Sequence, residues 1–224
     1  MRVLIVASSE RELQGLARFS DTDGAFVERL LPCGHGEIVG APVGVGLVQS
    51  ALGCSAAIMK WRPDHVLCFG TGGAVREDLE IGDMVFGDEV VQYTLDLQAF
   101  GLRRGECFGP RPGAVVGAIK PMLQLPSITD IRRVDGVIGS ADMFAIRSWR
   151  DANPWLRNEL HVILTDMESY AMASACRQYC LPCCVVRVVS DTCHGHRPKR
   201  YDRFLQETVG GILGAIIDSV KDKF

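Results

Sequence analysis

The sequence predicts an α/β protein, a sandwich in which helices cover a mixed β-sheet. After an N-terminal strand–helix unit, short apolar and β-branched segments alternate with segments whose apolar residues recur at helical spacing. The clearest buried strand is Cys183–Val189, a continuous apolar run that only Arg187 interrupts. Such a run is typical of a strand covered on both faces, as in a sheet that helices enclose.

Length and charge narrow the class of protein. At 224 residues the chain has the size of one ordinary domain, and we interpret residues 1–224 as a single domain. The formal net charge of -3 gives no electrostatic reason to expect nucleic acid as a partner. No apolar stretch reaches the roughly 18 residues of a membrane span, and the N-terminus lacks a signal-peptide pattern. We therefore expect a cytoplasmic protein with no membrane partner.

The cysteines favour a reducing compartment. There are nine, an odd number, and several lie in predicted core strands, which suits buried thiols better than a disulfide framework. A zinc site could be drawn from a cluster of nearby residues: Cys180, Cys183, Cys184, Cys193, His194 and His196. However, Cys183 and Cys184 are adjacent in a strand and should point to opposite faces. We therefore predict no metal.

The first half of the chain should contain two helices and several strands. The predicted elements are, in order: a strand Arg2–Ala7, a helix Glu10–Ala17 capped by Ser8 or Ser9, a strand Phe26–Leu31, a hairpin over His35–Val43 around Gly40, a helix Leu47–Lys60 and a strand His65–Phe69. The last strand should end in a glycine-rich turn, Gly70–Ala74, where a backbone can approach a ligand closely.

The second half continues the alternation. The predicted elements are: strands Val85–Tyr93, Val134–Gly139 and Val162–Leu164, a helix Ser169–Tyr179, the strand Cys183–Val189 and a last helix Tyr201–Val220. Residues 101–130 are rich in proline and glycine and carry no clear pattern.

Two charged residues near the end of the Cys183–Val189 strand are hard to explain by packing. A buried guanidinium at Arg187 needs a charged partner. Asp191, next to Ser190, stands where the strands of α/β proteins usually meet a ligand. From the residues alone, a structural Arg–Asp or Arg–Glu pair explains Arg187 as well as a functional site does.

Two motifs together resemble one family. Met167-Glu168-Ser169 at a strand-to-helix junction, followed by the segment VVRVVSD that ends at Asp191, is similar to the methylthioadenosine/S-adenosylhomocysteine nucleosidases of the purine nucleoside phosphorylase superfamily. Shorter matches add to this: Gly44-Val45-Gly46, Gly70-Thr71-Gly72-Gly73, the segment LEIGDMV over residues 79–85, and Ser140–Phe144. The resemblance runs from residue 1 to about 218 and is weakest over 15–40 and 101–130. It implies a three-layer sandwich with a central mixed β-sheet flanked by helices, the nucleoside phosphorylase/nucleosidase fold.

The family's reaction is hydrolysis of the N-glycosidic bond of 5′-substituted adenosines, with release of adenine and no cofactor. The resemblance assigns Asp191 as general acid toward the purine. Glu12, with Thr71 and Arg187, would position or activate water, and Glu168 would bind the ribose hydroxyls. Further substrate contacts are implied for Ser9, Val45, Phe144, Ala145, Asp166, Met167, Ser190 and Tyr201. An acid role near neutrality needs a raised pKa, which a cation would oppose, so we expect Arg187 to face Glu12 or water.

The segment Asp96–Phe100 resembles the family loop that crosses a dimer interface. By that match the chain is a homodimer, and Leu97 and Phe100 reach into the partner's 5′ pocket. An ordinary surface loop with an apolar anchor is the other interpretation.

Several alternatives stay open. A phosphate-dependent phosphorylase needs a cationic cradle, whereas Glu10 and Glu12 would repel phosphate, which favours water. Ser9 replaces the apolar residue that the nucleosidases usually have near the 5′ substituent, so S-adenosylhomocysteine, 5′-deoxyadenosine and futalosine-type nucleosides all remain possible. Asp191 suits a 6-amino purine, which favours aminodeoxyfutalosine over futalosine. A catalytically inactive nucleoside-binding paralogue and a zinc-binding regulatory module are the alternatives outside enzymes.

Overall fold

The structure is a computed structural model that describes residues 1–19, 28, 30–108, 115–116 and 131–220. Its strands are β1 (Arg2–Ala7), β2 (Leu30–Cys33), β3 (Gly36–Pro42), β4 (His65–Ala74), β5 (Met84–Gln92), β6 (Val115–Val116), β7 (Arg133–Ser140), β8 (Val162–Asp166) and β9 (Cys183–Asp191). Its α-helices are α1 (Leu47–Trp61), α2 (Arg147–Ala152), α3 (Trp155–Asn158), α4 (Ser169–Gln178), α5 (Tyr201–Arg203) and α6 (Gly210–Val220). Glu10–Phe19 and Gln98–Phe100 are 3-10 helices, and Phe204–Val209 is a π-helical segment between α5 and α6.

The strands form one mixed sheet, as predicted, and part of it closes on itself. β1 lies parallel between β3 and β4, and β2 pairs antiparallel with β3 at the edge. β4 also pairs with β8 and β9, while β5 pairs with β7 and β9, and β7 pairs with β8. The strands β4, β8, β7, β5 and β9 therefore make a closed ring, from which the other strands extend. Closure was not predicted, because it depends on pairings between strands distant in sequence.

Helices cover both faces of the sheet and bury two large apolar clusters there, while a third, smaller cluster packs around α2 and α3. One cluster joins the sheet to α1 and α4, through residues such as Ile58 and Met172. The other joins the sheet to the Glu10–Phe19 helix and α6, through residues such as Leu13 and Leu213. Cys183 belongs to the first cluster and its neighbour Cys184 to the second, which is the alternation predicted for a strand buried on both faces. The predicted α/β sandwich is confirmed.

Several predicted elements need correction. The hairpin turns at Gly34-His35 and not around Gly40, which lies inside β3 opposite Ile5. The helix after β1 is 3-10 and extends to Phe19. Half of the predicted strand Phe26–Leu31 falls outside the described residues, and its last two residues begin β2. Most of 101–130 also lies outside the described residues. The sequence did not indicate α2 or α3, because helices of six and four residues are too short to show periodicity.

The predicted glycine-rich turn is also wrong, since Gly70–Ala74 continues β4. The glycines are needed in this strand for space. A Cβ at Gly70 would collide with Arg187 Nη1, and one at Gly73 would lie 2.9 Å from Asp191 Oδ2. The glycines therefore let the backbone lie close to functional side chains, as predicted, but they do so within a strand and not in a turn.

Across the described residues, no helix is long and apolar enough to cross a bilayer.

Candidate active site

A cavity of about 350 Å³ opens where several strands end. Its walls come from the segments that follow β1, β3 and β7, from the C-terminal part of β4, and from the ends of β8 and β9. α5 and the π-helical segment complete them. This volume lies within the range of pockets for small molecules. The carboxyl ends of β8 and β9 deliver acidic side chains to it, at the position where α/β sheets usually bind ligands.

Glu12 reaches the cavity because the chain turns sharply after β1. Its backbone N–H donates to Ser9 O at 3.2 Å, and this turn brings the carboxylate back over Ser8. Oε2 then accepts bonds from Ser8 N at 3.1 Å and from Ser8 Oγ at 2.6 Å. Oε1 accepts bonds from Thr71 N at 2.8 Å and from Thr71 Oγ1 at 3.0 Å. Four donors therefore fix this buried carboxylate, which has about four acceptor sites.

Arg187 is fully buried beneath the cavity, and its charged partner is Asp166. Nε lies 2.6 Å from Asp166 Oδ2, and Nη1 donates to Phe69 O at 3.0 Å. Although burial opposes the charge, Asp166, Glu168 and Glu12 raise the pKa of Arg187 above its ordinary value. The sequence predicts that Arg187 faces Glu12 or water; Glu12 does lie near enough for its charge to act on Arg187, but the direct ion pair is with Asp166. The structural Arg–Asp pair, which the residues alone left open, is the arrangement found.

Asp166 also fixes the start of α4. Its carboxylate accepts the backbone N–H groups of Glu168 and Ser169 at 3.1 to 3.3 Å, and the hydroxyls of Ser140 and Ser169. These N–H groups have no partners inside the helix, so an acidic side chain is well placed here. Asp166 therefore positions Glu168, the residue next but one along the chain.

Glu168 is a buried carboxyl at the N-terminus of α4. Oε1 accepts a bond from Gly46 N at 3.2 Å. Burial raises the pKa of Glu168 to about 7, the charge of Asp166 adds to the rise, and Arg187 opposes it. Hydroxyl groups of a ligand that donate to Glu168 would favour its ionised form. Such a ligand should therefore release a proton when it binds near neutral pH.

Asp191, at the end of β9, has a cationic neighbour that the sequence did not indicate. Its Oδ1 lies 3.1 Å from Ser190 Oγ, and its Oδ2 lies 3.8 Å from Arg150 Nη1. Both side chains of the ion pair are about 6% exposed. Burial lowers the pKa of Arg150, while Asp191 acts in the opposite direction. Arg150 lies on the six-residue helix α2, so nothing local in the sequence links it to Asp191.

Two aromatic side chains border the cavity. Phe144 is 53% exposed, with the Arg197 guanidinium 4.9 Å from its ring centre. Tyr201 OH lies 3.1 Å from Thr71 Oγ1, so the start of α5 reaches across to β4. An exposed phenyl ring beside a polar cavity is available to stack on a flat ligand.

Asp142 has a structural role beside the cavity. It follows β7, and its Oδ1 accepts a bond from Leu47 N at 2.6 Å, the first N–H of α1. The bond ties the loop that carries Phe144 to the helix that follows Val45.

A family model described as "Phosphorylase superfamily" matches residues 2–213. The chain belongs to the phosphorylase superfamily. Among curated proteins, a 5′-methylthioadenosine/S-adenosylhomocysteine nucleosidase of Bacillus cereus is 27% identical over 219 residues, which cover 92% of this chain and 93% of the relative. A nucleosidase of the same name from Shewanella pealeana is 25% identical over 214 residues, covering 92% of each chain. The predicted resemblance to hydrolases that act on purine nucleosides is confirmed.

Solved structures agree on the fold. A crystal structure of the Campylobacter jejuni 5′-methylthioadenosine/S-adenosyl homocysteine nucleosidase has a TM-score of 0.86 at 24% identity and covers 100% of both chains. A Helicobacter pylori futalosine hydrolase mutant has a TM-score of 0.81 at 23% identity and covers 97% of this chain and 99% of its own. These likenesses establish that the chain has the nucleosidase fold.

The cavity of this superfamily member brings together most of the predicted site residues: Ser9, Glu12, Val45, Thr71, Phe144, Ala145, Asp166, Met167, Glu168, Ser190, Asp191 and Tyr201. Arg187 lies directly beneath them. Leu97 and Phe100 do not line the cavity, and Phe100 is 70% exposed and packs against Phe108.

The structure also adds residues that the sequence did not assign to the site. Ser8, Arg11, Met143 and Leu205 line the cavity, and Arg150 contacts Asp191. Among the described residues, no cluster of histidine, cysteine or acidic side chains is arranged to hold a metal ion.

Proposed function

We propose that this chain hydrolyses the N-glycosidic bond of 5′-substituted adenosines and releases adenine. One observation carries the proposal: besides Asp166, which is paired with Arg187, a single cavity collects three further carboxyl groups, Glu12, Glu168 and Asp191, together with the exposed ring of Phe144. Cleavage of this bond requires a proton for the departing purine, stabilisation of a cationic sugar and an activated water. The three carboxyl groups can be divided among these tasks. The names of the curated relatives support the same reaction.

Asp191 is the proposed general acid. As the C1′–N9 bond breaks, its proton would pass to N7 of the purine, and its other oxygen would accept a bond from the 6-amino group. Phe144 would stack on the base, and the backbone of Ala145 would face the edge of the base. Ser190 and Arg150 hold the carboxyl in place from the other side.

Glu168 and Glu12 would act on the sugar and on water. Glu168 would accept bonds from the ribose hydroxyls, while Met167 packs against the ring. Ionised Glu168 would also stabilise the positive charge that develops on the sugar. Glu12 would take the proton of the attacking water.

Water is favoured over phosphate as the nucleophile because Glu12 already occupies the available donors. The N–H groups of Ser8 and Thr71, which could otherwise bind an anion, both donate to Glu12. Among the described residues that line the cavity, Arg11 is the one cation, and it is paired with Asp202. A phosphate dianion would have to displace one of these carboxylates or lie against it, which costs free energy.

The polar rim of the cavity supports a second candidate substrate. Ser9 and Arg11 both line the cavity, and Arg11 is about half exposed. The pair of Arg11 with Asp202 is exposed and therefore weak, so a carboxylate at the end of a 5′ substituent would replace Asp202 as the partner of Arg11. S-Adenosylhomocysteine and aminodeoxyfutalosine both have such a group, and methylthioadenosine does not.

We further propose a homodimer in a reducing cytoplasm. α1 exposes an apolar stripe, Val48, Leu52 and Met59, each at least 60% exposed, which suits burial against a second copy. The predicted reach of Leu97 and Phe100 into the partner's 5′ pocket belongs to this proposal. Across the described residues no disulfide links any of the nine cysteines, and six of them are buried, which supports a reducing compartment.

Adenine release from methylthioadenosine, with and without phosphate, tests the reaction. We expect adenine and free methylthioribose at a rate that does not depend on phosphate. A sugar-1-phosphate product would contradict the choice of water. Release from aminodeoxyfutalosine but not from methylthioadenosine would favour the second candidate.

A further inference from the structure

We propose that Ser8 is a catalytic residue whose hydroxyl relays a proton from the attacking water to Glu12. This inference rests on the proposed hydrolysis and adds a step to it. The observation behind it is the complete set of hydrogen bonds on the Glu12 carboxylate.

Glu12 has no free acceptor site in the resting structure. A carboxylate has about four lone-pair positions. Four donors are in place: the N–H and the hydroxyl of both Ser8 and Thr71, at 2.6 to 3.1 Å. A water molecule therefore cannot pass a proton straight to Glu12 unless one donor leaves. The proton must either displace a donor or travel through one of the two hydroxyls.

The two hydroxyls are not equivalent. Thr71 Oγ1 lies 3.1 Å from Tyr201 OH, so that phenol can donate to it and take up one of its acceptor positions. Among the described residues, Glu12 is the hydrogen-bond partner of Ser8 Oγ, at 2.6 Å. Ser8 is only half-buried and lines the cavity. Its acceptor positions are therefore open to a water in the cavity, while its own proton already points at Glu12.

Each proton and electron pair that moves in the relay has a donor and an acceptor. The water oxygen forms a bond to C1′ while its O–H bond breaks, and that proton passes to Ser8 Oγ. The original Ser8 proton passes to Glu12 Oε2. The electron pair of the C1′–N9 bond leaves with the purine, which takes a proton from Asp191. Glu12 ends protonated and Asp191 ends ionised, and exchange with solvent restores both.

The first test is the Ser8→Ala variant, which keeps the backbone donor and removes the relay. We expect kcat to fall roughly 10²-fold with KM almost unchanged, because the hydroxyl acts in the chemical step. Ser8→Thr should recover most of kcat, since it restores a hydroxyl. Ser148→Ala, an exposed serine on α2, is the matched control. An unchanged kcat in Ser8→Ala, a change in KM alone, or a loss that Ser8→Thr does not recover would overturn the relay.

A proton inventory separates relay from positioning. For wild type, kcat in mixtures of H₂O and D₂O should give a curved plot, because two protons move on the water side. Ser8→Ala should give a straighter plot. Equal curvature in both would overturn the relay.

A crystal structure of the resting enzyme keeps the inference separate from the proposed reaction. We expect Ser8 Oγ to lie within hydrogen-bond distance of Glu12 Oε2, as it does here. A Ser8 hydroxyl turned away from Glu12 overturns the relay whatever the activity. If the wild type releases no adenine from any 5′-substituted adenosine, the proposed function fails, and the relay of water to Glu12 fails with it.

Discussion

Arg187 Nε lies 2.6 Å from Asp166 Oδ2, with side chains that are 0% and 1% exposed. The pair joins β9 to the end of β8 directly below the cavity. A guanidinium at such depth is tolerated only with a charged partner and further acceptors, and Phe69 O is one of these. The main role of Arg187 is therefore structural, because it holds β8 and β9 together below the cavity. Its charge also interacts with Glu12 and Glu168.

Breaking this pair should cost much stability. Asp166→Asn leaves Arg187 buried without a counter-charge, and we expect the free energy of unfolding to fall by about 3–5 kcal/mol. Urea denaturation measures the change. Asp135→Asn is the matched control, since Asp135 pairs with Arg133 on the surface and should contribute about 1 kcal/mol or less. Equal effects from the two variants would contradict the role assigned to the buried pair.

The raised pKa of Glu168 should appear as a pH dependence of stability. Its pKa is about 7 in the folded chain, against an ordinary value of 4.5. Between these values the folded state holds a proton that the unfolded state has lost. The free energy of unfolding should therefore fall as pH rises from about 4.5 to about 7, and this contribution should be flat above that. The total change is of the order of 3 kcal/mol.

Glu168→Gln isolates this effect. The difference in unfolding free energy between wild type and Glu168→Gln should shift in favour of the variant as pH rises from 4.5 to 7. Glu159→Gln, on the surface, should run parallel to wild type. Parallel curves for Glu168→Gln as well would show that the carboxyl is not protonated in the folded chain at neutral pH.

The sequence predicted features that depend on neighbouring residues or on a recognisable motif. It did not predict features that depend on contacts between residues distant in the chain. The end of β9 was recognisable because an apolar strand closes on Ser190-Asp191. The Arg150–Asp191 pair was not recognisable, since α2 is too short to show helical periodicity and the two residues lie far apart in the sequence. The glycines at 70, 72 and 73 predicted a turn from composition, whereas the strand needs Gly70 and Gly73 because Arg187 and Asp191 fill the space that a Cβ would take. Leu97 and Phe100 rest on the family resemblance, and their role stays a prediction.

Gly73 should be required for the position of Asp191. A Cβ at Gly73 would lie 2.9 and 3.1 Å from the two carboxylate oxygens of Asp191, so Gly73→Ala must push that side chain away. We expect kcat for adenine release to fall roughly 10²-fold, as displacements of about 1 Å often produce. Gly211→Ala is the control, because nothing lies within 4 Å of its added Cβ.

The control variant Gly211→Ala should also be more stable than wild type. Gly211 is an exposed position of α6, where alanine is favoured over glycine by about 0.5–1 kcal/mol. Its kcat should not change. Wild-type activity in Gly73→Ala would show that the reaction does not depend on where the structure holds Asp191.

Asp191 should carry two separable effects, one on activity and one on stability. Asp191→Asn removes the proposed proton donor, and we expect kcat to fall by about 10²- to 10⁴-fold. The same change leaves the buried Arg150 without its anion, so the free energy of unfolding should fall as well. Asp151→Asn, an exposed partner of Arg147, is the control and should leave kcat unchanged.

A double variant separates the two effects. Combining Asp191→Asn with Arg150→Met removes both buried charges, and it should restore part of the stability lost in Asp191→Asn, because no unpaired guanidinium remains. It should not restore kcat, since the proton donor is still missing. Thermal melting gives the stability and adenine release gives kcat. Both are measured on wild type, Asp191→Asn, the double variant and the Asp151→Asn control. Recovery of activity together with stability would mean that Asp191 acts by holding Arg150 in place and is not the acid.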